Sequence, residues 1–327
     1  MQDLHYYQER TERLFAGQRF TGSPSGLYDP IEYTMHLGGK RLRPTLLLIG
    51  CSMFGGSEES VRGAMLGIET FHNFTLLHDD LMDNSPLRRG QPTVYRKWDA
   101  NTAVLSGDTM FALAMRLMLS QPTPRLAEVL QCFTDTAVGV CEGQQMDMDF
   151  EQAGLAAVSV ADYLKMIELK TGVLIAGALK MGALYTEATE ADVATLYRYG
   201  LHLGRAFQMQ DDLLDGYGDT AVFGKKTGQD IRDNKISLLP LTALGLADAA
   251  QKAALLRLFA GRQCADEERK VREVMAIYDS VGLRANIEEQ IEAQFAEADR
   301  LLHSLPLPEQ NLRPLGQMAE TLKNRKK

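Results

Sequence analysis

The chain has 327 residues, of which 45% are hydrophobic and 24% are charged, and its formal net charge is −8. This composition is typical of a globular protein with a sizeable core, and the acidic balance disfavours nucleic acid as a main partner because phosphate backbones select basic surfaces. The N-terminus is polar and shows no signal peptide, and no apolar run anywhere in the sequence is expected to be long enough to span a bilayer. We therefore expect a cytoplasmic protein without stable membrane insertion.

The predicted elements are long helices. Apolar periodicity predicts them over residues 59–83, 100–120, 126–150, 161–185, 189–215 and 281–303. Alternating strand-like runs with hairpin dipeptides are absent, so the predicted fold class is all-α. The stretches FTGSPSGLYDP, SQPTP and YGDTAVFGKKTGQD are predicted loops because they are rich in Gly, Pro, Ser and Asp. No stretch is typical of an interdomain linker, so a single domain over residues 1–327 is expected.

Two of these helices end in similar acidic motifs, HDDLMD at residues 78–83 and QDDLLD at residues 210–215. Each motif has aspartates at i, i+1 and i+4, and the i and i+4 positions share one helix face. The six residues are Asp79, Asp80, Asp83, Asp211, Asp212 and Asp215. One such motif is typical of a solvated helix end, although carboxylates are disfavoured there by the helix dipole. Two copies favour magnesium, which combines carboxylates with substrate phosphates.

Basic residues accompany the acidic motifs. GGKRLRP contributes Lys40, Arg41 and Arg43, the first acidic motif is followed by Arg88 and Arg89, and later segments contribute Lys170, Lys225 and Lys235. Arginine forks match phosphate oxygens bidentately, and lysine acts as a point charge. Each cation alone is typical of a solvated surface. Together, beside two acidic clusters, they indicate two bound diphosphates, one held through magnesium and the other held directly.

The motifs also occur in the order of a known family: GGKRLRP, HDDLMDNSPLRRGQPT, GQQMD, LKT, FQMQDDLLD and GKKTGQDIRDNK. From Gly38 to about Pro240, the sequence resembles the trans-isoprenyl diphosphate synthases of the polyprenyl synthetase family. The resemblance implies an isoprenoid synthase-type helical bundle around a deep central cavity, usually as a homodimer. It also implies a prenyltransferase that condenses dimethylallyl, geranyl or farnesyl diphosphate with isopentenyl diphosphate, with about three Mg²⁺ ions per site.

The resemblance implies a role for each matching residue. Asp79, Asp83 and Asp211 would ligate magnesium, supported by Asp80, Asp212 and Asp215. The allylic diphosphate would be held by Arg88, Lys170, Lys225 and Lys235, and isopentenyl diphosphate by Lys40, Arg43, His72 and Arg89. Oxygen dipoles would face the developing allylic cation from Thr171, Gln208 and the Lys170 carbonyl. Gln144 and Asp147 would orient the side chains of Lys170 and Gln208.

Some positions leave alternatives open. A single histidine on a helix is typically a core residue whose hydrogen bonds are made within the protein, and this is the alternative for His72. Its position seven residues before Asp79 nevertheless matches the isopentenyl site of the family. Asn234 stands where many relatives have glycine, which leaves the placement of Lys235 open. The basic C-terminus LKNRKK resembles tails that close over isopentenyl diphosphate in some members, and a frayed tail is the alternative.

Product length is expected to depend on the helix before the first acidic motif, where Phe71, Phe74 and Thr75 precede Asp79 by eight, five and four residues. A phenylalanine that faces the cavity would act as its floor, because overpacking a close-packed site costs about 1–3 kcal/mol. The bulky Phe74 beside the small Thr75 resembles geranylgeranyl diphosphate synthases, so we expect geranylgeranyl before farnesyl diphosphate. Simple packing in a helix interface is the alternative for Phe71.

Two rival functions remain. A class I terpene cyclase shares the first aspartate motif, but its second metal motif is normally an Asn/Ser/Glu arrangement and it has no need of GGKRLRP. A non-catalytic regulatory subunit of a heteromeric prenyl synthase typically loses one aspartate motif, whereas both are intact here.

Overall fold

The computed structural model describes residues 2–218, 227–260 and 266–325. It is 78% helical, which confirms the all-α prediction. The helices are α1 (Leu4–Ala16), α2 (Ser25–Met35), α3 (Leu42–Met53), α4 (Glu58–Met82), α5 (Val94–Lys97), α6 (Ala100–Leu119), α7 (Leu126–Ala153), α8 (Val160–Ile167), α9 (Val173–Leu184), α10 (Glu190–Tyr217), α11 (Gln229–Arg232), α12 (Leu238–Leu246), α13 (Ala249–Phe259), α14 (Glu267–Ser280), α15 (Leu283–His303) and α16 (Glu309–Lys323). A 3-10 turn (Leu155–Ala157), a π-helical segment (Glu168–Gly172) and a hairpin of β1 (Leu87–Arg88) with β2 (Gln91–Pro92) complete the described elements.

The six helices predicted from periodicity are confirmed as α4, α6, α7, α8 with α9, α10 and α15. The predicted loop FTGSPSGLYDP is wrong after Pro24, because α2 begins at Ser25. Pro30 lies inside this helix and lacks an N–H, but the carbonyl that it leaves unpaired belongs to the exposed Gly26, where water can reach it.

The described residues form two compact units. The first consists of Met1–Phe133, Ala178–Val193 and Leu307–Leu315, and the second of Thr134–Gly177, Ala194–Pro306 and Gly316–Lys327. In the first unit α4 packs against α6 and α3, and in the second α12 packs against α8, α14 and α15. A single domain over residues 1–327 stays a prediction.

Helix α6 exposes several large apolar side chains in addition to those that it buries. Val104, Leu105, Phe111 and Leu119 are each between 37% and 59% exposed. Contrary to the expectation from the sequence, this helix is long and apolar enough to span a membrane, with 39% of its apolar window buried inside the protein. Core helices of soluble proteins have the same length and composition.

Candidate active site

The first acidic cluster lies at the C-terminal end of α4. Asp80 is buried and accepts a hydrogen bond at Oδ2 from Arg88 Nε at 2.8 Å, and Arg88 Nη2 lies 2.7 Å from Oδ1 in the same ion pair. Burial raises the pKa of Asp80, and Arg88 opposes that shift. Asp79 is half-buried, and Asp83, which caps the helix, is exposed. The structure therefore gives Asp80 an internal counter-ion and leaves Asp79 and Asp83 on the more open face.

Arg88 and Arg89 are positioned by the β1–β2 hairpin. Arg89 and Gly90 form its two-residue turn with φ of 53° and 77°, as a type I′ turn requires. The Arg89 guanidinium donates to the Gly38 carbonyl and packs on Gly39, where an added Cβ would lie 2.6 Å from Nη2. The absence of a side chain at the glycine pair of GGKRLRP therefore allows the Arg89 guanidinium to pack against this segment.

The three basic residues of GGKRLRP have different surroundings. Lys40 is exposed. Arg41 is buried and donates to Glu69 at 2.8 Å, so this guanidinium is engaged inside the unit. Arg43 Nη1 lies 3.0 Å from His72 Nε2. Because a guanidinium can only donate, Nε2 of His72 accepts, and a neutral ring carries its proton on Nδ1.

The electrostatics of this pair follow from desolvation. Burial, followed by the charges of nearby arginines including Arg43 and Arg89, holds the pKa of His72 well below its usual value. Burial also lowers the pKa of Arg43 to about 10. A neutral His72 beside a charged Arg43 therefore offers one N–H from the imidazole and several from the guanidinium, which suits a diphosphate.

The chain-length candidates belong to an aromatic cluster in the first unit. Phe71 is fully buried, with its ring centroid 5.5 Å from Phe74, 5.9 Å from Phe111 and 5.4 Å from Phe133. Phe74 is half-buried and lies 5.6 Å from Phe111. The Thr75 hydroxyl donates to a carbonyl of its own helix at 2.8 Å. Phe71 thus occupies the interior of the cluster, as the packing alternative requires, whereas Phe74 lies at its edge.

In the second acidic cluster, the carboxylates of α10 are held from several sides. Asp212 is buried and accepts from the Tyr163 hydroxyl and from the Leu238 N–H at 3.1 Å. Asp215 accepts from the Asp230 N–H at 3.1 Å. Burial, followed by the charge of Asp230, raises the pKa of Asp212 to about 7 and that of Asp215 to about 6. Asp230 was missed in the sequence analysis, although GKKTGQDIRDNK contains it.

Asp211, the first aspartate of this cluster, is paired with Arg325 near the C-terminus. The Arg325 guanidinium also lies over the Phe207 ring at 4.6 Å, and Gln210 Nε2 donates to the Lys323 carbonyl at 2.9 Å. The basic tail is therefore folded onto α10 as far as Arg325, and a cation at Asp211 would have to displace that guanidinium. The run LKNRKK was the only sequence signal for this contact.

Lys170 lies in the π-helical segment, a geometry that is frequent at functional sites. Its Nζ lies 2.6 Å from Asp147 Oδ2, and the orienting role of Asp147 stays a prediction. A Cβ added to Gly143 would lie 2.3 Å from the Lys170 backbone nitrogen. This glycine therefore lets α7 and the π-helical segment approach closely enough for the ion pair.

Thr171 and Gln208 are linked to the second acidic cluster. The Thr171 hydroxyl donates to Gln208 Oε1 at 3.2 Å, and Gln208 Nε2 donates to Asp212 Oδ1 at 3.2 Å. The buried Oε1 of Gln144 has no hydrogen-bond partner in the structure as described. The two hydrogen bonds fix the orientation of the Thr171 hydroxyl and the Gln208 amide, and Thr171 directly follows Lys170 in the chain.

Two predicted lysines follow the second cluster. Lys225 lies outside the described residues. The Lys235 backbone N–H donates to the Asp230 carbonyl at 2.9 Å. Asn234 has φ of 57°, a conformation that asparagine tolerates, and its side chain accepts from the buried Lys270. Asparagine therefore replaces glycine here without disturbing the turn that carries Lys235.

Magnesium is compatible with these carboxylates. Within residues 2–218, 227–260 and 266–325, no three acidic, His or Cys side chains converge to hold a metal ion by themselves. Magnesium normally uses one or two carboxylates and completes its shell with water and substrate phosphates. Burial, and after it the negative charge of Asp230, raises the pKa values of Asp212 and Asp215, and a divalent cation would offset both effects.

The chain is similar in sequence and in structure to known proteins over most of its length. Residues 24–278 match the polyprenyl synthetase family. The chain is 40% identical over 238 residues to a geranylfarnesyl diphosphate synthase of Natronomonas pharaonis, covering 67% of this chain and 69% of that one. It is 40% identical over 223 residues to a geranylgeranyl diphosphate synthase of Methanosarcina mazei, covering 67% and 68%. A crystal structure of geranylgeranyl pyrophosphate synthase matches with a TM-score of 0.93 at 38% identity over 100% of both chains.

Proposed function

The chain belongs to the polyprenyl synthetase family and is an isoprenyl diphosphate synthase with the isoprenoid synthase helical fold, which condenses an allylic diphosphate with isopentenyl diphosphate, and we propose that its product is geranylgeranyl diphosphate. The cyclase and regulatory-subunit alternatives are not favoured, because the similar proteins are named as diphosphate synthases. The names of these relatives refer to products of twenty carbons or more, which supports geranylgeranyl over farnesyl diphosphate.

Phe74 is the observation that carries the proposed product length. Its half-buried ring lies at the edge of the aromatic cluster, on the same helix as Asp79 and five residues before it. At about 1.5 Å of rise per residue, the backbone positions of Phe74 and Asp79 lie roughly 7 to 8 Å apart along the axis of α4. Phe71 and Phe111 support the ring from behind. In the proposal, the growing chain runs from the first acidic cluster along α4 and stops at Phe74.

The proposed metal sites use the two acidic clusters. Enzymes of this family depend on Mg²⁺, and we assign the ions, about three per site, to Asp79, Asp83 and Asp211. Asp212 and Asp215 support the second cluster, and Asp80 supports the first through its pair with Arg88. The chemistry that magnesium supplies when bound is neutralisation of the charge that develops on the leaving diphosphate.

The proposed diphosphate sites follow the basic residues. The allylic diphosphate is assigned to Arg88, Lys170, Lys225 and Lys235. Isopentenyl diphosphate is assigned to Lys40, Arg43, His72 and Arg89. The Arg43–His72 pair supports this assignment, because a neutral imidazole and a charged guanidinium both donate hydrogen bonds from one place. This pair therefore orients isopentenyl diphosphate and transfers no proton.

In the proposed mechanism, no protein nucleophile is needed. Lys170, held by Asp147, stabilises the departing diphosphate. The oxygens of Thr171 and Gln208 face the allylic cation and stabilise its positive charge by preorganised dipoles. The double bond of isopentenyl diphosphate attacks this cation, and the new carbon chain then loses a proton to the departing diphosphate. The apolar wall of α4 keeps water from the cation.

Replacing Phe74 by alanine is expected to extend the main product beyond twenty carbons, because the ring that stops the chain is removed. The purified variant would be incubated with Mg²⁺, labelled isopentenyl diphosphate and farnesyl diphosphate, and product lengths would be read by chromatography. Phe295→Ala is the matched control, because this buried phenylalanine lies on α15 and belongs to the second unit: we expect it to cost about 3–5 kcal/mol of stability through a buried cavity without lengthening the product. An unchanged product from Phe74→Ala would contradict the proposed floor.

We further propose a cytoplasmic homodimer of one-domain chains, with the outer face of α6 in the subunit contact. Val104, Leu105, Phe111 and Leu119 are exposed along this helix. Asp108 lies within the same face, with 64% of its side chain exposed, and an ionisable residue facing lipid is costly. A second protein surface with a polar contact near Asp108 therefore suits this face better than a bilayer.

The dimer proposal predicts that Leu105→Glu converts the protein to monomers, because a charge would be buried at the centre of the contact. Sedimentation velocity at several concentrations measures the association state. Leu246→Glu places the same charge at a leucine that is exposed on α12, and this variant is expected to remain dimeric. A monomeric wild-type protein, or a dimeric Leu105→Glu variant, would exclude the α6 contact.

A further inference from the structure

His78 is wedged between Phe74 and helix α6, within the first unit. It follows Phe74 by one helical turn, and the two rings meet edge to face with centroids 4.8 Å apart and an interplanar angle of 67°. On its other side, the imidazole lies against Gly107 of α6. A Cβ added to Gly107 would lie only 2.1 Å from His78 Nε2 and 2.5 Å from Cδ2. The ring therefore occupies the space that any other residue at position 107 would fill.

A hydrogen bond fixes this ring to α6. His78 Nε2 lies 3.2 Å from the Val104 carbonyl oxygen. Because a carbonyl can only accept, Nε2 carries a proton and donates it to this bond. Asp108 Oδ1, 3.9 Å from the same nitrogen, adds an acceptor on the same side. The imidazole, which lies one turn after Phe74 on α4, is thus hydrogen-bonded to the backbone of α6.

Phe74 also contacts two other rings on its buried side. Phe71 lies 5.5 Å from it and Phe111 lies 5.6 Å from it, and both belong to the same aromatic cluster. His78 is therefore the polar member of the wall around Phe74. If the imidazole were removed, Gly107 would have no side chain to fill the vacated space, and the Phe74 ring could move into it.

We propose that His78, seated on Gly107, is a positioning residue that holds the Phe74 ring in place and thereby sets product length. The inference rests on the proposed function, in which Phe74 stops the growing chain. His78 acts through the Phe74 ring and has no contact with the reacting atoms in this proposal. Its neighbour Asp79 is a proposed metal ligand, so the decisive readout must be product length and not rate.

The experiment compares His78→Ala with the double variant His78→Ala/Gly107→Val. His78→Ala is expected to shift at least half of the product from twenty to twenty-five carbons, because Phe74 relaxes towards Gly107. In the double variant, the valine side chain refills the vacated volume, and the twenty-carbon stop is expected to return. Both proteins would be incubated with farnesyl diphosphate, labelled isopentenyl diphosphate and Mg²⁺, and product lengths would be read at equal substrate conversion.

The outcomes separate this inference from the proposed function. If Phe74→Ala lengthens the product but His78→Ala does not, Phe74 remains the floor and the role of His78 is refuted. If Phe74→Ala itself has no effect, the proposed floor fails first and the inference fails with it. The inference would also be overturned if His78→Ala lengthened the product and the added Gly107→Val did not bring back the twenty-carbon product. The inference requires that filling the space left by the imidazole restores the position of Phe74.

A single Gly107→Ala variant covers the case in which His78→Ala does not fold. Its Cβ must displace the imidazole from α6, so an altered ratio of twenty- to twenty-five-carbon products is expected. The matched control is Gly67→Ala in α4, whose added Cβ would meet the Ala114 carbonyl of α6 at 3.0 Å and does not meet His78. A wild-type product ratio in a folded Gly107→Ala variant would overturn the inference.

Discussion

Asp79→Asn is expected to lower kcat/KM for the condensation by about 10²–10³-fold, a loss comparable to that of one preorganised charge-stabilising group. The amide keeps the size of the side chain but removes the negative charge that would bind magnesium. Asp79 is half-buried at the end of α4, with Asp83 one turn away and Asp80 already paired with Arg88. The remaining carboxylates of this cluster therefore cannot fully replace it.

Steady-state kinetics over a range of Mg²⁺ concentrations would measure this loss, together with the Mg²⁺ concentration that gives half-maximal rate. Asp299→Asn is the control, because it makes the same change near the C-terminal end of α15 at a side chain that is 69% exposed. We expect this control to retain wild-type kinetics. Activity within twofold of wild type in Asp79→Asn, without any change in Mg²⁺ dependence, would remove Asp79 from the metal site.

Lys170→Ala is expected to reduce kcat by about 10²–10³-fold, which is the second large effect that we predict. The ammonium group is held 2.6 Å from Asp147, in the π-helical segment that approaches Gly143. Removing it deletes a positive charge that is aimed at the departing diphosphate. Asp147→Asn should have a smaller effect, about 10-fold, because it loosens the orientation of Lys170 without removing its charge.

Single-turnover and steady-state rates with geranyl diphosphate would separate the chemical step from substrate binding in these variants. Lys165→Ala is the matched control, since Lys165 lies on the adjacent α8 with 56% of its side chain exposed and contacts Glu168. This control is expected to keep kcat unchanged. Equal losses in Lys165→Ala and Lys170→Ala would mean that the effect comes from the segment and not from the Lys170 charge.

Much of the fold could be predicted from periodicity. The ends of α4, α6 and α15 agree closely with the predicted spans, because long apolar stripes with a 3.6-residue period are strong local signals. The start of α2 could not be predicted in this way, since Ser, Pro and Gly are typical of loops. Its helix is stabilised by burial of Ile31 and Met35 in the first unit, which is a tertiary effect.

For the candidate site, the sequence indicated the chemical groups but not their partners. The aspartate motifs, GGKRLRP and the Lys170–Thr171 pair were recognisable because metal and phosphate chemistry restricts the residue types at a short spacing. The contacts of Asp80 with Arg88 and of Asp211 with Arg325 were not predictable in the same way. Each joins residues whose approach depends on how the chain turns between them.

The sequence by itself therefore determined the helical class, the family and the set of charged groups, because these depend on local periodicity and on motifs of a few residues. Only the tertiary structure decided which charges are paired, why burial and the charge of Asp230 raise the pKa of Asp212, and how His78 packs against Gly107 and Phe74. The physical reason is that desolvation, charge pairing and ring packing act over a few ångströms in space, between residues that can be far apart along the chain.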